Sequence, residues 1–361
     1  MNTGIAAGAG AVPGRVPTPG ARSGASQLTL EFAPPNDNGS PITKYVASCS
    51  NTTTTVTVTA TTHPIVVKGL VNTVFYACSV RAFNQYGGGP PSYLAPGMPG
   101  LNYTKTTRTY CSPGGVPLLM DFFRPPGTAV VPVVLFAHGG GWTTGTRNLD
   151  GTLLATLLTS RGFALASVDY RLAPAVKPPD QLRDLACAVR YLRANAVTLG
   201  IKPDKIGGMG TSAGGHLMSW LGVKPPTVTA SDQYRSQSSK LQAVVDDFGI
   251  LEFGPDQMAI MPTLPQIFGT TSQAVIDSYA PINYVTADDP PFMIAHGMLD
   301  LTVPFHEAQD FDAALLKVHV PVVFVPIAHT GHTFAPVDAN PDPTMTSVYT
   351  TQISFLNTYL R

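Results

Sequence analysis

The stretch that decides the fold is Lys205–Gly222, KIGGMGTSAGGHLMSWLG, in which a short strand pattern turns into a helix pattern. Ser212 occupies the turn, and Gly210 and Gly214 flank it in the spacing G-x-S-x-G. Glycines at these two positions allow a strand end, a sharply bent serine and a helix start to pack closely without Cβ clashes. The pattern therefore predicts a nucleophilic serine at the tip of a strand–turn–helix elbow.

Composition and charge narrow the classes of partner. The chain has 361 residues, enough for two or three domains, and its 22 basic side chains balance 22 acidic ones. Because there is neither net charge nor a basic run, binding to nucleic acid or to an anionic membrane is not indicated. No apolar run reaches the roughly 20 residues that span a bilayer.

The location of the protein is predicted from its composition alone. The first twenty residues do not have the pattern of a signal peptide. We expect either an intracellular protein or one whose targeting segment has been removed. The low charge and the abundance of Thr, Gly and Pro favour an extracellular or periplasmic location, and a cytoplasmic one is the alternative.

The first hundred residues have the pattern of an all-β module. Residues 1–14 are rich in Gly and Ala, which predicts disorder. Residues 15–95 contain short alternating runs separated by turn clusters, which predicts a β-sandwich; the runs include QLTLEF, PITKYVAS, TVTVTA and FYACSVRAF. This segment resembles a fibronectin type III domain, in which Leu70 and Tyr76 would form the tyrosine corner, although Phe32 stands where that family usually has Trp.

Two of the four cysteines lie in this module. Cys49 and Cys78 fall in two runs that should be neighbouring strands, and both have the inward phase. A disulfide and two buried thiols both fit this placement. The cysteines match no metal-binding pattern, and we expect neither a metal nor an organic cofactor.

A change of period marks the second domain. Residues 96–108 are rich in Pro, Gly and Thr and are predicted to be a linker. From 109 to 361, strand-like apolar runs such as PVVLFA and FMIAHG alternate with helix-like stretches such as DQLRDLACAVRYLRANA. This alternation predicts an α/β fold with a doubly wound, mostly parallel sheet and with its chemistry at the carboxyl ends of the strands.

Three further motifs accompany the serine elbow in this domain. HGGGW at 138–142 directly follows the run PVVLFA, SVDYRLAP occupies 167–174, and HGMLDLTVP occupies 296–304. In this order they resemble the α/β-hydrolase esterases, and more narrowly the carboxylesterases related to hormone-sensitive lipase and to the feruloyl and acetyl xylan esterases. The resemblance spans about residues 104–361.

The resemblance implies the partners of the elbow serine in a catalytic triad. Asp300 matches the acid of the family pattern HG-x-x-D-x-x-VP, and Asp310 and Asp312 on the next helix are poorer candidates. Both His329 and His332 follow the run VVFVP, and the family's GHxF ending favours His332 as the base. His329 would then have a structural role.

The same resemblance implies the surroundings of the triad. Amides of Gly140, Gly141 and Ala213 would hold the oxyanion of a tetrahedral intermediate. Trp142 of HGGGW is expected to border the substrate pocket. Three other residues are expected to be structural: Trp220, Asp184 and His216.

The resemblance implies a serine carboxylesterase acting on short-chain or aromatic esters by way of an acyl-enzyme, including acetyl or feruloyl esters on polysaccharides. Two alternatives remain open: an amide-cleaving enzyme of the formamidase or peptidase kind, and a binding protein with an inert hydrolase fold. Little chain is available for a cap, apart from an apolar segment around 258–268. We therefore expect a shallow cleft that favours acetyl to butyryl esters.

Overall fold

A computed structural model describes residues 10–101 and 103–361. These residues form two units, one extending through Leu101 and including Asp150–Leu157, and the other comprising the remainder. In the described ranges, no helix combines the length and the apolar character needed to cross a membrane.

The first unit is a β-sandwich. Its strands are β1 (Gly20–Gly24), β2 (Gln27–Glu31), β3 (Lys44–Ser50), β4 (Thr55–Ala60), β5 (Ile65–Lys68), β6 (Tyr76–Asn84), β7 (Gly87–Gly88) and β8 (Ala95–Gly97). One sheet has the order β1-β2-β5; the other has the order β4-β3-β6-β7, and β8 also pairs with β6. Alternate side chains of β2, β3 and β6 are buried between the sheets, so the predicted sandwich is confirmed.

The structure tests two predicted details of the sandwich, the tyrosine corner and the pairing of Cys49 with Cys78. The Tyr76 hydroxyl accepts a hydrogen bond from the Val71 N–H at 3.1 Å, next to the buried Leu70, which is the arrangement of a tyrosine corner. Cys49 and Cys78 lie opposite each other on β3 and β6 and form a disulfide. Of the two alternatives for this pair, the structure has the covalent one.

The ends of the sandwich differ from the prediction. Residues 1–9 of the predicted disordered segment 1–14 lie outside the described residues, but Gly14 N–H donates to Asn36 O at 2.8 Å and Asn84 Nδ2 donates to Ala11 O at 2.7 Å. The predicted linker 96–108 is also partly wrong, because β8 extends to Gly97 and a strand of the second unit begins at Thr104. The β-branched threonines of TKTTRTY suit an exposed edge strand.

The second unit is built around one eight-stranded sheet. Its strands are β9 (Thr104–Cys111), β10 (Leu118–Arg124), β11 (Val131–Ala137), β12 (Ala164–Val168), β13 (Ile201–Thr211), β14 (Val244–Asp247), β15 (Phe292–Gly297) and β16 (Val322–Ile327). Their order is β16-β15-β14-β13-β11-β12-β10-β9. The neighbours from β16 to β12 are parallel, while β10 is antiparallel to β12 and β9. The predicted mostly parallel sheet is confirmed.

Helices follow the strands along the chain after residue 103. They are α1 (Leu153–Ser160), α2 (Pro178–Ala194), α3 (Ala196–Leu199), α4 (Ala213–Val223), α5 (Pro255–Ile260), α6 (Leu264–Phe268), α7 (Gln273–Asp277), α8 (Phe305–Lys317) and α9 (Met345–Leu360). Short 3-10 turns lie at Pro113–Gly115, Pro281–Tyr284 and His332–Phe334. A second disulfide, Cys111–Cys187, joins β9 to α2 and was not predicted.

The sheet brings the sequence motifs to one edge. β13 ends beside Ser212, β15 ends just before Asp300, and β16 ends just before His332. These three strands are parallel members of the same sheet, so their carboxyl ends face the same way. Three residues distant in sequence thereby converge.

Candidate active site

Ser212 sits between β13 and α4 with φ 53° and ψ −121°. A positive φ is costly for a residue with a Cβ, and it persists here because the surrounding backbone holds it. Ser212 N–H donates to Asp247 O at 2.9 Å, and His216 N–H donates to Ser212 O at 2.9 Å. The predicted elbow is therefore anchored on one side by β14 and on the other by the first turn of α4.

The two glycines around Ser212 are required by close backbone contacts. A Cβ at Gly210 would lie 2.2 Å from Gly214 O, and a Cβ at Gly214 would lie 2.2 Å from Ala137 O. Neither distance is possible for real atoms, because backbone cannot move aside as a flexible side chain can. A larger residue at Gly210 would push the start of α4 away from β13, and one at Gly214 would push it away from β11.

A chain of hydrogen bonds runs from the serine to the aspartate. His332 Nε2 lies 3.0 Å from Ser212 Oγ, and His332 Nδ1 lies 2.7 Å from Asp300 Oδ2. The other carboxylate oxygen, Asp300 Oδ1, accepts from Thr302 N–H at 2.8 Å and from Val303 N–H at 3.0 Å. The structure thus brings together the three residues predicted as a triad and fixes the carboxylate from both sides.

Asp300 is held in its ionised form. Burial by itself would raise the pKa of Asp300, but hydrogen bonds from His296, His332 and the Val303 N–H outweigh it and lower this pKa well below its usual value. His296 is fully buried. Its Nε2 lies 3.4 Å from Asp300 Oδ2, and the Nε2–H also donates to Val303 O at 3.0 Å. Sequence reasoning gave His296 no role, although its position four residues before Asp300 in the HG-x-x-D pattern was visible.

The imidazole of His332 is positioned by aromatic neighbours. The Phe248 ring lies edge-on to it at 4.9 Å between centroids and also packs against Phe334 at 4.7 Å. His329 does not face Ser212: its Nδ1 lies 2.9 Å from Asp338 Oδ1, and its side chain is 43% exposed. Of the two candidate histidines, only His332 contacts the serine and the aspartate.

The glycine loop after β11 forms one wall of the site. Gly140 has φ 116° and Gly141 has φ 57°, and Gly140 O accepts hydrogen bonds from the amides of Thr143 and Thr144 at 3.1 and 3.0 Å. This turn keeps the loop folded beside the elbow. A cavity of about 450 Å³ lies here, lined by Gly139, Gly140, Gly141, Thr211, Ser212, Phe248, Ile250, Met261, Thr302, His332 and Thr333. Ala213 begins α4 next to the serine and is buried.

The expectation that Trp142 borders the substrate pocket is wrong. Its side chain has no exposed surface and packs against the rings of Phe253 and Phe268, at 6.3 and 5.7 Å between centroids. Its Nε1–H donates to His216 Nδ1 at 3.1 Å. The positive φ of Trp142, 61°, turns the side chain into the core beneath the loop, so it supports the site from below.

Two residues expected to be structural have structural contacts. His216 is fully buried, and its Nε2–H donates to Tyr279 O at 3.0 Å while its Nδ1 accepts from the indole of Trp142. Burial lowers the pKa of His216 to about 4, so it is neutral at physiological pH. Asp184 is buried and accepts hydrogen bonds from the Arg171 guanidinium at 2.8 to 3.1 Å.

Two adjacent carboxyl groups at the end of β14 lie behind the elbow and were not predicted. Burial raises the pKa of Asp246 to about 8, partly offset by the Gly249 N–H. Burial and the neighbouring Asp246 also raise the pKa of Asp247, whose Oδ1 accepts from Gln352 Nε2 at 2.8 Å. The Asp246 carboxyl is tightly enclosed, because a Cβ at Gly215 would lie 2.1 Å from its Oδ1.

One group in the described chain has the side chains of a metal site. Glu252, His306 and Asp310 bring ligand atoms within 4.8 Å of one another, but His306 and Asp310 are exposed. His306 Nε2 is already 2.8 Å from Asp256 Oδ2. We assign no metal to this group.

Each of the two units matches a known protein family. The BD-FAE family profile matches residues 120–315, and the fibronectin type III domain profile matches residues 18–96. The chain is 29% identical over 228 residues to the probable carboxylic ester hydrolase LipM of Mycobacterium tuberculosis, covering 60% of this chain and 53% of LipM. It is 30% identical over 240 residues to the esterase LipC of the same species, covering 61% of this chain and 58% of LipC.

Among solved structures, the chain is similar to a thermophilic esterase of Thermogutta terrifontis with butyrate bound. The TM-score is 0.58 at 25% identity, over 71% of this chain and 93% of that one. The chain spans about half the length of the curated relatives it matches. Because the BD-FAE match covers more than half of the sequence and includes the serine elbow, the chain belongs to the BD-FAE family and carries an N-terminal fibronectin type III domain.

Proposed function

We propose that this protein is a serine carboxylesterase that hydrolyses short-chain or aromatic carboxylic esters through an acyl-enzyme. The observation that carries the proposal is the hydrogen-bond chain from Ser212 through His332 to Asp300. Relatives named as esterases or carboxylic ester hydrolases support the reaction class.

The first step is activation of Ser212. A serine hydroxyl is a weak nucleophile near neutral pH, so His332 Nε2 takes the Oγ proton as Oγ attacks the ester carbonyl. Asp300 remains ionised, keeps the Nδ1–H tautomer by accepting that proton in a hydrogen bond, and stabilises the imidazolium that forms. The 3.0 and 2.7 Å contacts have the lengths that this relay needs.

The second step is stabilisation of the oxyanion. The carbonyl oxygen gains negative charge as its carbon becomes tetrahedral, and we assign its donors to the amides of Gly140, Gly141 and Ala213. Ala213 is the first residue of α4, so its amide lies at the positive end of the helix dipole. Loss of one such donor costs about 3 to 4 kcal/mol of transition-state stabilisation.

The last steps are release of the alcohol and hydrolysis of the acyl-enzyme. The imidazolium of His332 returns the proton to the leaving alkoxide, and the alcohol departs. Water then attacks the acyl carbon while His332 takes its proton; the bond from the acyl carbon to Ser212 Oγ breaks as His332 returns that proton to Oγ, which releases the carboxylic acid and regenerates Ser212. Every proton in the cycle passes through one imidazole nitrogen, so no second acid or base is needed.

We further propose that the substrate is a small-molecule or polysaccharide-linked ester, such as an acetyl or feruloyl ester, and that the protein works in an extracellular or periplasmic space. The two disulfides, Cys49–Cys78 and Cys111–Cys187, support that location because such bonds persist in oxidising compartments. The butyrate found in the Thermogutta terrifontis esterase supports a short acyl group.

The experiment compares the protein with Ser212→Ala on p-nitrophenyl acetate and on the matching anilide, together with labelling by a fluorophosphonate. We expect hydrolysis of the ester, stoichiometric labelling, and loss of both in the variant with an unchanged circular dichroism spectrum. Retention of more than a few per cent of kcat would overturn the assignment of the nucleophile. Faster cleavage of the anilide than of the ester would favour the amidase alternative.

A further inference from the structure

Two adjoining cavities of the catalytic unit share two wall residues. The catalytic cavity, of about 450 Å³, contains Ser212 and His332 in its wall. A second cavity of about 350 Å³, here called the side cavity, has no triad residue in its wall. Gly141 and Met261 line both cavities, so these two residues lie at the boundary between them.

The side cavity has an apolar floor and a polar rim. Ala173 and Ile267 are buried at its base, whereas Thr143, Thr263 and Gln266 are exposed around its edge. Such a site can hold an apolar chain and leave the far end of that chain in contact with water. Nothing in the proposed chemistry uses this space when the acyl group is acetyl.

The direction of the ester in the site follows from the proton path. The leaving alcohol must come within hydrogen-bond reach of His332 Nε2, since that nitrogen returns the proton. The alcohol therefore lies beside His332, which, like its chain neighbour Thr333, lines the catalytic cavity and not the side cavity. The acyl group points away from His332, and Gly141 and Met261 are the residues through which the catalytic cavity borders the side cavity.

Resting on the proposed esterase activity, we propose that Met261 is the residue that limits the length of the acyl group. Gly141 has no side chain, so the Met261 side chain is the only part of the shared wall that a substitution can remove. It keeps acetyl to butyryl groups within the catalytic cavity and separates longer chains from the side cavity. A smaller residue at this position joins the two cavities into one acyl channel.

The test uses p-nitrophenyl esters from acetyl to octanoyl, so that only the acyl group varies. In Met261→Ala, each methylene that becomes buried in the side cavity raises kcat/KM about fourfold, so the two extra methylenes of hexanoyl raise its rate relative to butyryl about fifteenfold. Met261→Phe moves the same ratio in the opposite direction. Met258→Ala is the matched control, because Met258 lies in the same segment but lines a different cavity with Phe253 and Ile282. The ratio of hexanoyl to butyryl rates in this variant should equal that of the unmodified protein.

A double variant shows where the longer chain goes. Thr263→Phe fills the side cavity from its edge, so combining it with Met261→Ala should cancel this increase of about fifteenfold. The proposal is overturned if kcat/KM in Met261→Ala depends on acyl length in the same way as in the unmodified protein. It is also overturned if the increased ratio of hexanoyl to butyryl rates persists in the double variant. If Met261→Ala does not fold, the ratio in Met261→Phe decides. Absence of any ester hydrolysis in the unmodified protein would instead refute the proposed function.

Discussion

Replacing Asp300 with asparagine is the most informative single change in the hydrogen-bond chain. Asp300 Oδ1 accepts from two backbone donors, the amides of Thr302 and Val303. The NH₂ group of asparagine cannot take that position, because it would face two N–H groups. The side-chain oxygen must stay there, which leaves the NH₂ group pointing at His332 Nδ1.

This orientation forces the wrong tautomer of the histidine. Nδ1 must then accept a hydrogen bond, so the ring proton moves to Nε2, which lies 3.0 Å from Ser212 Oγ. An N–H at that position cannot take the serine proton. The equivalent change in a serine-protease triad lowers kcat about 10⁴-fold, and we expect a loss of about the same size here, corresponding to about 5 kcal/mol in the activation free energy.

The assay is steady-state hydrolysis of p-nitrophenyl acetate at neutral pH, with titration of active serine by a phosphonate. Asp300→Asn should keep the fold and KM within a small factor while kcat falls. Asp312→Asn, a partly buried carboxyl on α8, is the control and should keep its rate. A kcat for Asp300→Asn above a tenth of the unmodified value would show that the aspartate does not fix the tautomer.

Three further predictions follow from the site and its supports. His332→Ala should lower kcat as far as loss of the nucleophile does, whereas His329→Ala should keep substantial activity, and the reverse ranking would move the base. The pKa of the Asp246 carboxyl is about 8 in the folded protein and about 4 in the unfolded chain. Between these two pH values only the folded state holds the carboxyl proton, so the free energy of unfolding falls as the pH rises. Asp246→Asn should therefore gain Tm relative to the unmodified protein from about pH 5 to pH 8, and a constant difference would contradict this. Alkylation of the unfolded, unreduced protein should add no mass, and replacing Cys111 and Cys187 by serine should cost about 2 to 4 kcal/mol of unfolding free energy, which denaturant titration would measure.

Most of the fold was predictable because its signals are local. The G-x-S-x-G spacing around Ser212 reports a close backbone approach that only glycine permits, because a Cβ at Gly210 or at Gly214 would lie 2.2 Å from a backbone oxygen. The alternation of strand and helix patterns likewise predicted the parallel sheet. The assignment of residues 104–108 to a linker failed because an exposed edge strand rich in threonine has the same composition as a loop.

The contacts that the sequence could not predict join distant residues. Cys111 and Cys187 are 76 residues apart, on a strand and a helix, and no local pattern relates them. The burial of Asp246 depends on how closely α4 packs over β14, which strand periodicity does not report. The direction of a side chain in a loop is also unspecified by sequence, which is why Trp142 in HGGGW could be assigned to the pocket.

The buried position of Trp142 leads to a last prediction that separates a supporting role from a substrate contact. Trp142→Phe removes the Nε1–H that donates to His216 Nδ1 and leaves that nitrogen buried without its donor. An unsatisfied buried acceptor costs about 1 to 3 kcal/mol, so Tm should fall by several degrees. Adding His216→Phe removes the orphaned nitrogen, so the double variant should lose less stability than the sum of the two single variants. The ratio of kcat/KM values for hexanoyl and acetyl esters should stay constant throughout this cycle, because neither ring reaches the cavity. A shift of that ratio in Trp142→Phe at an unchanged Tm would return the indole to the substrate pocket.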